Sequence, residues 1–276
     1  MRGEKTMTTK KEIYAAHGIE FIKSKNTEKL VSPLGLVNKP LVNGNKKIGR
    51  GCYHFSTLPG TQLFDVVVNG MSFTVKGTCC CDCVGCYAKT GNYRYQSVKN
   101  ALGMRTILAR NYLDWLEKAI RAQIVADKIE TIRIHAAGDF CSFAYAMMWY
   151  RIAKDFPGVK IWTYTKVREF ESLFDTLPNS NIVKSVIPGI GFNFGHIDFV
   201  QDTYNKLASA GKTVHVCRCG VDKDQHCTNC KGCSENEFVL FVEHSTEYKA
   251  EKENDWTAFK AWVDAVSPRK AEKAAC

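Results

Sequence analysis

Thr131-Ile-Arg-Ile-His-Ala-Ala-Gly-Asp-Phe140, with Met147, Trp149, Tyr150 and Ile152 behind it and Val159-Lys-Ile-Trp-Thr-Tyr164 beyond, is the stretch that decides how this chain is read. A short run rich in β-branched residues gives way to helical spacing and then to a second such run, which predicts a β-α-β unit. Ser142 is placed to cap the helix and Pro157-Gly158 to end it.

The pattern extends both ways. Upstream, Met71-Ser-Phe-Thr-Val75 alternates as a strand, and 97–128 reads as one or two helices through Leu102, Ile107, Leu108, Tyr112, Leu113, Leu116, Ile120 and Ile124. Downstream come Thr165-Lys166, a helix through Phe170, Leu173 and Phe174 to Pro178, a strand over 182–187, and a helix over 198–210 ending at Gly211. Strands over 213–216 and 237–243 and a helix over 256–266 complete the chain, with no internal repeat and no low-complexity tract. Alternating strands and helices on short links predict an α/β fold with a parallel sheet, open or curled into a barrel. In such folds the loops after the strands converge on one rim and carry the chemistry. Here those loops hold Cys79 to Cys86, His135 with Asp139, Thr165 with Lys166, Pro188-Gly189, and Cys217 with Cys219.

Ten of the thirteen cysteines fall into two groups, Cys79, Cys80, Cys81, Cys83 and Cys86, and Cys217, Cys219, Cys227, Cys230 and Cys233. The basic N-terminal residues lack an apolar run after them, and no window reaches the ~18 apolar residues of a membrane span, so a cytoplasmic protein with no membrane partner is expected. In a reducing compartment closely spaced thiols act as metal ligands rather than disulfides. A chain of 276 residues, 45% hydrophobic, buries a sizeable core without metal staples, so the thiols have work beyond folding. The first fifty residues carry eleven Lys and Arg against four Asp and Glu, most of the net +10. That surplus reads as a solvated face, and nucleic-acid phosphate is the partner it suits. The expected organisation is a basic segment over 1–50, an α/β core over 51–212, and a cysteine-rich second metal site with a terminal strand and helix over 213–276.

The first cysteine group parses three ways. Cys79-x3-Cys83-x2-Cys86 offers three thiolates to a [4Fe-4S] cluster and leaves one iron open. Cys80-x2-Cys83-x2-Cys86 is a ferredoxin-like half pattern, and Cys81-x-Cys83-x2-Cys86 is compatible with zinc. The second group, with five thiolates, suits a second [4Fe-4S] cluster or zinc.

A strand, Cys-x3-Cys-x2-Cys, a helix, and a strand ending in Gly138-Asp139 resemble the radical S-adenosylmethionine enzymes. That resemblance implies a partial (β/α)6 barrel of parallel strands with a C-terminal cysteine-rich metal-binding extension. It also implies Cys79, Cys83 and Cys86 as ligands, and S-adenosylmethionine beside Gly138, Asp139, Thr165 and Tyr87. An external electron donor would cleave that cofactor to a deoxyadenosyl radical, with Asp139, His135 and Lys166 as the candidate catalytic groups. Along most of its length the chain is also similar to the phage gene product 88 family. The matching residues are Lys47-Ile-Gly-Arg-Gly51, His54-Phe55-Ser56, Cys83 to Ala88, Arg133 to Asp139, Trp162 to Lys166, and Cys217 through Cys233. This implies a phage or mobile-element origin and names no substrate. Two other functions stay open: a zinc-dependent, transglycosylase-like base exchanger using Asp139, and a noncatalytic zinc-binding nucleic-acid module. The simpler readings are that His135 is a satisfied core histidine, Lys166 a strand-end cap, Trp149, Tyr150 and Trp162 core aromatics, and Cys52, Cys141 and Cys276 ordinary thiols.

Overall fold

The computed structural model describes residues 9–44, 49–82, 86, 88, 90–184, 194–218, 221, 230, 232–242 and 253–267. Its centre is a β-α-β unit where the sequence predicts one. Strand β8 (Thr131–Ile134) leads to helix α4 (Phe143–Asp155) and then to β9 (Lys160–Tyr164). The Ser142 side chain accepts a hydrogen bond from the Tyr145 amide and caps α4.

On one side of β8 and β9 lies β5 (Cys52–Phe55), and on the other β10 (Ser180–Val183), all four parallel. The short strand β4 (Val42–Asn43) adds an antiparallel edge, giving the order β10-β9-β8-β5-β4. Side-chain alternation divides the two faces. Phe55, Ile132, Ile134 and Ile161 point into the main core with Leu116, Ile120, Tyr145, Trp149 and Ile152. Leu116 and Ile120 come from helix α3 (Leu113–Ala126), which follows α2 (Gln96–Asn111). The other face carries Cys52, Ala136 and Trp162, with Tyr164 and Cys233 packed against them.

The partial (β/α)6 barrel is not what forms. Among the described residues there are four separate sheets and no closed barrel. The strand Met71–Lys76 (β7) is not the first parallel strand but the second arm of an antiparallel hairpin with β6 (Leu63–Val68). Asn69 and Gly70 both have positive φ, 50° and 80°, which is the two-residue turn that asparagine-glycine favours because its twist matches the strands. The hairpin is therefore inserted between the true first parallel strand, β5, and the cysteine loop. The expected helix through Phe170, Leu173 and Phe174 is instead a run of tight turns, in which the amides of Phe170, Leu173 and Leu177 bond three residues back, to Val167, Phe170 and Phe174.

The first fifty residues are folded where described. Helix α1 (Lys10–Ala16) and the antiparallel sheet β1 (Phe21–Ser24), β2 (Thr27–Ser32) and β3 (Gly35–Asn38) share the main core through Tyr14, Phe21, Leu30 and Val37. Lys10 and Lys39 each lie 2.7 Å from Asp127, and Lys39 also lies 2.7 Å from Glu28. The Gln123 amide pairs with both backbone groups of Leu41, at 2.9 and 2.8 Å, as a strand would. These contacts fasten the layer to α3.

The C-terminal part, where described, has a sheet and a hydrophobic core of its own rather than a grouped set of metal ligands. The parallel strands β12 (Val214–Val216), β13 (Phe238–Val242) and β11 (Phe194–Gly195) form a small sheet in the order β11-β13-β12. With α5 (Ile197–Ser209) and α7 (Glu253–Val266) it holds its own core of Val200, Val216, Leu240, Phe259 and Val263. The short helix α6 (Gly232–Glu235) docks this part on the edge of β10, where the Asn181 side-chain amide donates to the carbonyls of Cys233 and Asn236, both at 2.8 Å. Among the described residues no three His, Cys, Asp or Glu side chains are grouped to hold a metal ion, and no helix is long and apolar enough to cross a membrane.

Candidate functional site

The loops after β5, β8 and β9 meet in one cluster with the segment after the hairpin, and a threonine pair ties it together. After β5 the Thr57 amide donates to the Ala137 carbonyl at 3.0 Å. After the hairpin the Thr78 amide donates to Leu58, and the Cys79 amide to Gly60. The Thr57 and Thr78 hydroxyls share a hydrogen bond of 2.8 Å, and the Asp139 amide donates to the Thr78 hydroxyl at 3.0 Å. The residue immediately before the first cysteine is thus bonded to the acid of the Gly138-Asp139 pair.

Gly138 has to be glycine at this crossing. Its φ is +85°, and a Cβ there would lie 2.0 Å from the Thr57 hydroxyl and 2.6 Å from that of Thr78. The tight approach lets the Gly138 backbone pack directly against the Thr57 and Thr78 side chains.

Asp139 is buried and fully used. Its carboxylate accepts from the Phe140 amide and the Thr165 hydroxyl, both at 2.8 Å, and from the Lys166 amide at 2.9 Å. Burial pushes its pKa up from 3.8 to about 6, against those same hydrogen bonds, which favour the ionised form. A carboxyl raised in this way contributes stability that is complete below 3.8 and lost as pH rises through about 6. His135, pushed down to about 3, and His54, pushed down to about 4, act in the opposite direction, losing stability as pH falls below 6.5. Comparing the protein with Asp139→Asn isolates the carboxyl. Urea unfolding should show the variant gaining on the parent by about 2–3 kcal/mol between about pH 4 and about pH 7. A difference independent of pH would mean that Asp139 titrates as it does in the unfolded chain.

His135 sits with Asp139 but faces the core. It adopts φ 57°, its Nδ1 pairs with the Thr163 hydroxyl at 3.2 Å, and its Nε2 pairs with the Tyr145 hydroxyl at 3.1 Å. Both nitrogens are engaged, and Phe140 meets the ring edge-on at 4.7 Å. Thr165 and the Lys166 backbone are brought to Asp139, as the sequence suggests. Cys79 and Cys86 are half-buried thiols, Cys80 is exposed, and the sulfurs of Cys80 and Cys81 lie 3.9 Å apart. Cys83 and Tyr87, like Cys219 and Cys227 of the second group, lie outside the described residues.

The second group comes to the same sheet. The Tyr164 hydroxyl, one residue before Thr165, shares a 2.7 Å hydrogen bond with the Cys233 sulfur. Cys217 and Cys233 both pack in the cluster around Tyr164 and Val239. His215 Nε2 lies 3.6 Å from the Cys230 sulfur. On the sheet face shared by Cys52 and Trp162, the Arg133 guanidinium stacks on the Tyr164 ring at 5.2 Å.

Thr57, Thr78 and His215 lie outside every motif, while Arg133 and Tyr164 lie within the matching stretches but carry no role there. Thr78 adjoins Cys79, and the alternation within β8 and β9 puts Arg133 and Tyr164 on one face. Only pairing of the strands reveals that these meet. Cys52 is fully buried, and burial pushes the Cys141 thiol up, in line with ordinary packed thiols.

A family model described as Gene product 88 matches residues 44–257. The "Gene 88 protein" of Mycobacterium phage D29 is 31% identical over 78 residues, an alignment that spans 24% of this chain and 32% of that protein. No solved structure matches the chain. Since the family match runs from the strand edge at Gly44 through both cysteine groups and into α7, the chain belongs to the Gene product 88 family.

Proposed function

We propose that the protein is an iron–sulfur enzyme of radical S-adenosylmethionine type, with Cys79, Cys83 and Cys86 as the cluster ligands and the cofactor beside Gly138, Asp139 and Thr165. The observation that supports this most is the hydrogen bond from the Asp139 amide to Thr78, which ties the cysteine loop to the Gly-acid pair. The donor chemistry fits, because iron–sulfur clusters take thiolates, and Cys79 and Cys86 are partly shielded from water. When bound, a [4Fe-4S] cluster would supply the reducing electron for cofactor cleavage, and the electron would come from an external donor. The chain's own residues have separate tasks. Gly138 permits backbone approach, Asp139 fixes the Thr165-Lys166 turn, and the buried Thr57–Thr78 pair holds the two loops in register. A second [4Fe-4S] cluster or zinc on Cys217, Cys219, Cys227, Cys230 and Cys233 belongs to the same proposal. So do a phage origin and action in the host cytoplasm.

One observation favours a second reading. A carboxyl with a pKa of about 6 is suited to general acid–base work, which a zinc-dependent base exchanger would require of Asp139.

The test is purification without oxygen, followed by assay of iron, acid-labile sulfide and zinc, and then addition of dithionite and S-adenosylmethionine. Brown protein containing iron and sulfide, with release of 5′-deoxyadenosine, is the expected result. Colourless protein holding stoichiometric zinc would overturn the iron–sulfur reading and favour the second.

A further inference from the structure

A groove of about 550 Å³ lies between the turn joining β1 to β2, the end of β3, and helix α2. Its lining includes Lys23, Lys25, Asn26, Lys39 and Arg105, with Glu28 as its carboxylate. Glu28 does not balance this charge, because it is already bonded to Lys39 and Lys10, and those lysines also share Asp127.

Arg105 is the unusual member. It is only 6% exposed, and its Nε and Nη1 donate to the carbonyls of Pro40 at 3.0 Å and Ala101 at 3.3 Å. A guanidinium has five N–H donors and cannot shed its charge, and burying one without a counter-ion is unfavourable. No described carboxylate lies within ion-pair distance of it, nor of Lys23 or Lys25 on the rim. Arg105, Lys23 and Lys25 therefore line a groove of nucleotide size whose own carboxylate, Glu28, is already paired with Lys39 and Lys10.

We propose that this groove binds a phosphate ester, seated on Arg105 and flanked by Lys23 and Lys25. The planar guanidinium suits the oxygens of phosphate, and the rim lysines add charge without fixed geometry. The phosphate can belong to a free nucleotide or to a nucleic-acid strand, and either source gives Lys23 and Lys25, part of the basic surplus of the first fifty residues, a defined partner. Nothing in this proposal depends on the cysteines or on Asp139.

Two probes test it, a fluorescein-labelled oligothymidylate followed by anisotropy and inorganic pyrophosphate followed by calorimetry. The double variant Lys23→Gln/Lys25→Gln changes only exposed side chains, so its fold is not at issue. It should weaken binding at least about fivefold and lower the slope of log affinity against log salt by about 1.4. Arg105→Lys keeps the charge but loses the fork, and it should weaken both probes at unchanged salt slope. Oligonucleotide binding that pyrophosphate displaces supports a strand, whereas pyrophosphate binding alone supports a small phosphate ester. If neither probe binds, or if both variants bind as tightly as the parent, the proposal is wrong.

Discussion

Replacing Gly138 with alanine is expected to lower the stability of this protein by about 3 kcal/mol or more, the sum of a positive-φ penalty and an overpacking penalty. The new methyl group would meet the Thr57 hydroxyl at 2.0 Å and the Thr78 hydroxyl at 2.6 Å, and neither is the free end of a flexible side chain. Both threonines are buried and bonded to each other, and the Thr78 hydroxyl also bonds the Leu58 carbonyl. The clash therefore has to move the cysteine loop away from Asp139 rather than rotate one group aside. Thermal unfolding should show a fall in Tm of about 6–12 °C for a chain of this size. Thr57→Ala in the same chain removes the closest contact, so the double variant should recover part of the loss. Additive effects of the two changes would mean that Gly138 and Thr57 are not in direct contact.

On the proposed iron–sulfur reading, replacing Cys86 with serine removes the iron of the first group and abolishes cofactor cleavage. Serine is a poor substitute for a thiolate at iron, so if both groups carry clusters of one kind, iron per chain should fall by about half. Cys230→Ser should remove only the other portion, because Cys230 lies by His215 in the C-terminal part. Cys141→Ser is the control. Cys141 packs at the edge of the main core and its thiol is pushed up by burial, so iron content should stay at the parental value. Equal iron loss in all three variants would point to general unfolding instead.

How far the sequence could be read varied with the source of each signal. The strand Thr131–Ile134 and the cap at Ser142 were legible because both are local, one a period and the other a side chain within reach of its own helix. The strand Met71–Lys76 was legible as a strand but not as a hairpin arm. The deciding residues were Asn69-Gly70, a turn signal, and that misassignment also hid Cys52–Phe55 as the first parallel strand. At Phe170, Leu173 and Phe174 the apolar spacing is satisfied by tight turns as well as by a helix, and spacing alone does not separate them.

The site divides in the same way. Asp139, Thr165 and Lys166 all follow strands, and the Asp139 carboxylate accepts from the Thr165 hydroxyl and the Lys166 amide. Thr57 and Thr78 carry no motif and are 21 residues apart in the chain, so only the folded loops bring them together. For His135 position was a poor guide to contact. The residue turns inward because its φ of 57° directs the ring to Thr163 and Tyr145.

The central claim is that the cysteine loop and the Gly138-Asp139 loop form one binding site. Equilibrium dialysis of S-adenosylmethionine against protein reconstituted with iron and sulfide without oxygen, beside its Cys86→Ser variant, tests this most directly. The account predicts one molecule bound per chain in the parent and none in the variant. Equal binding by both proteins, or no binding by a parent that holds its full complement of iron and sulfide, would contradict it.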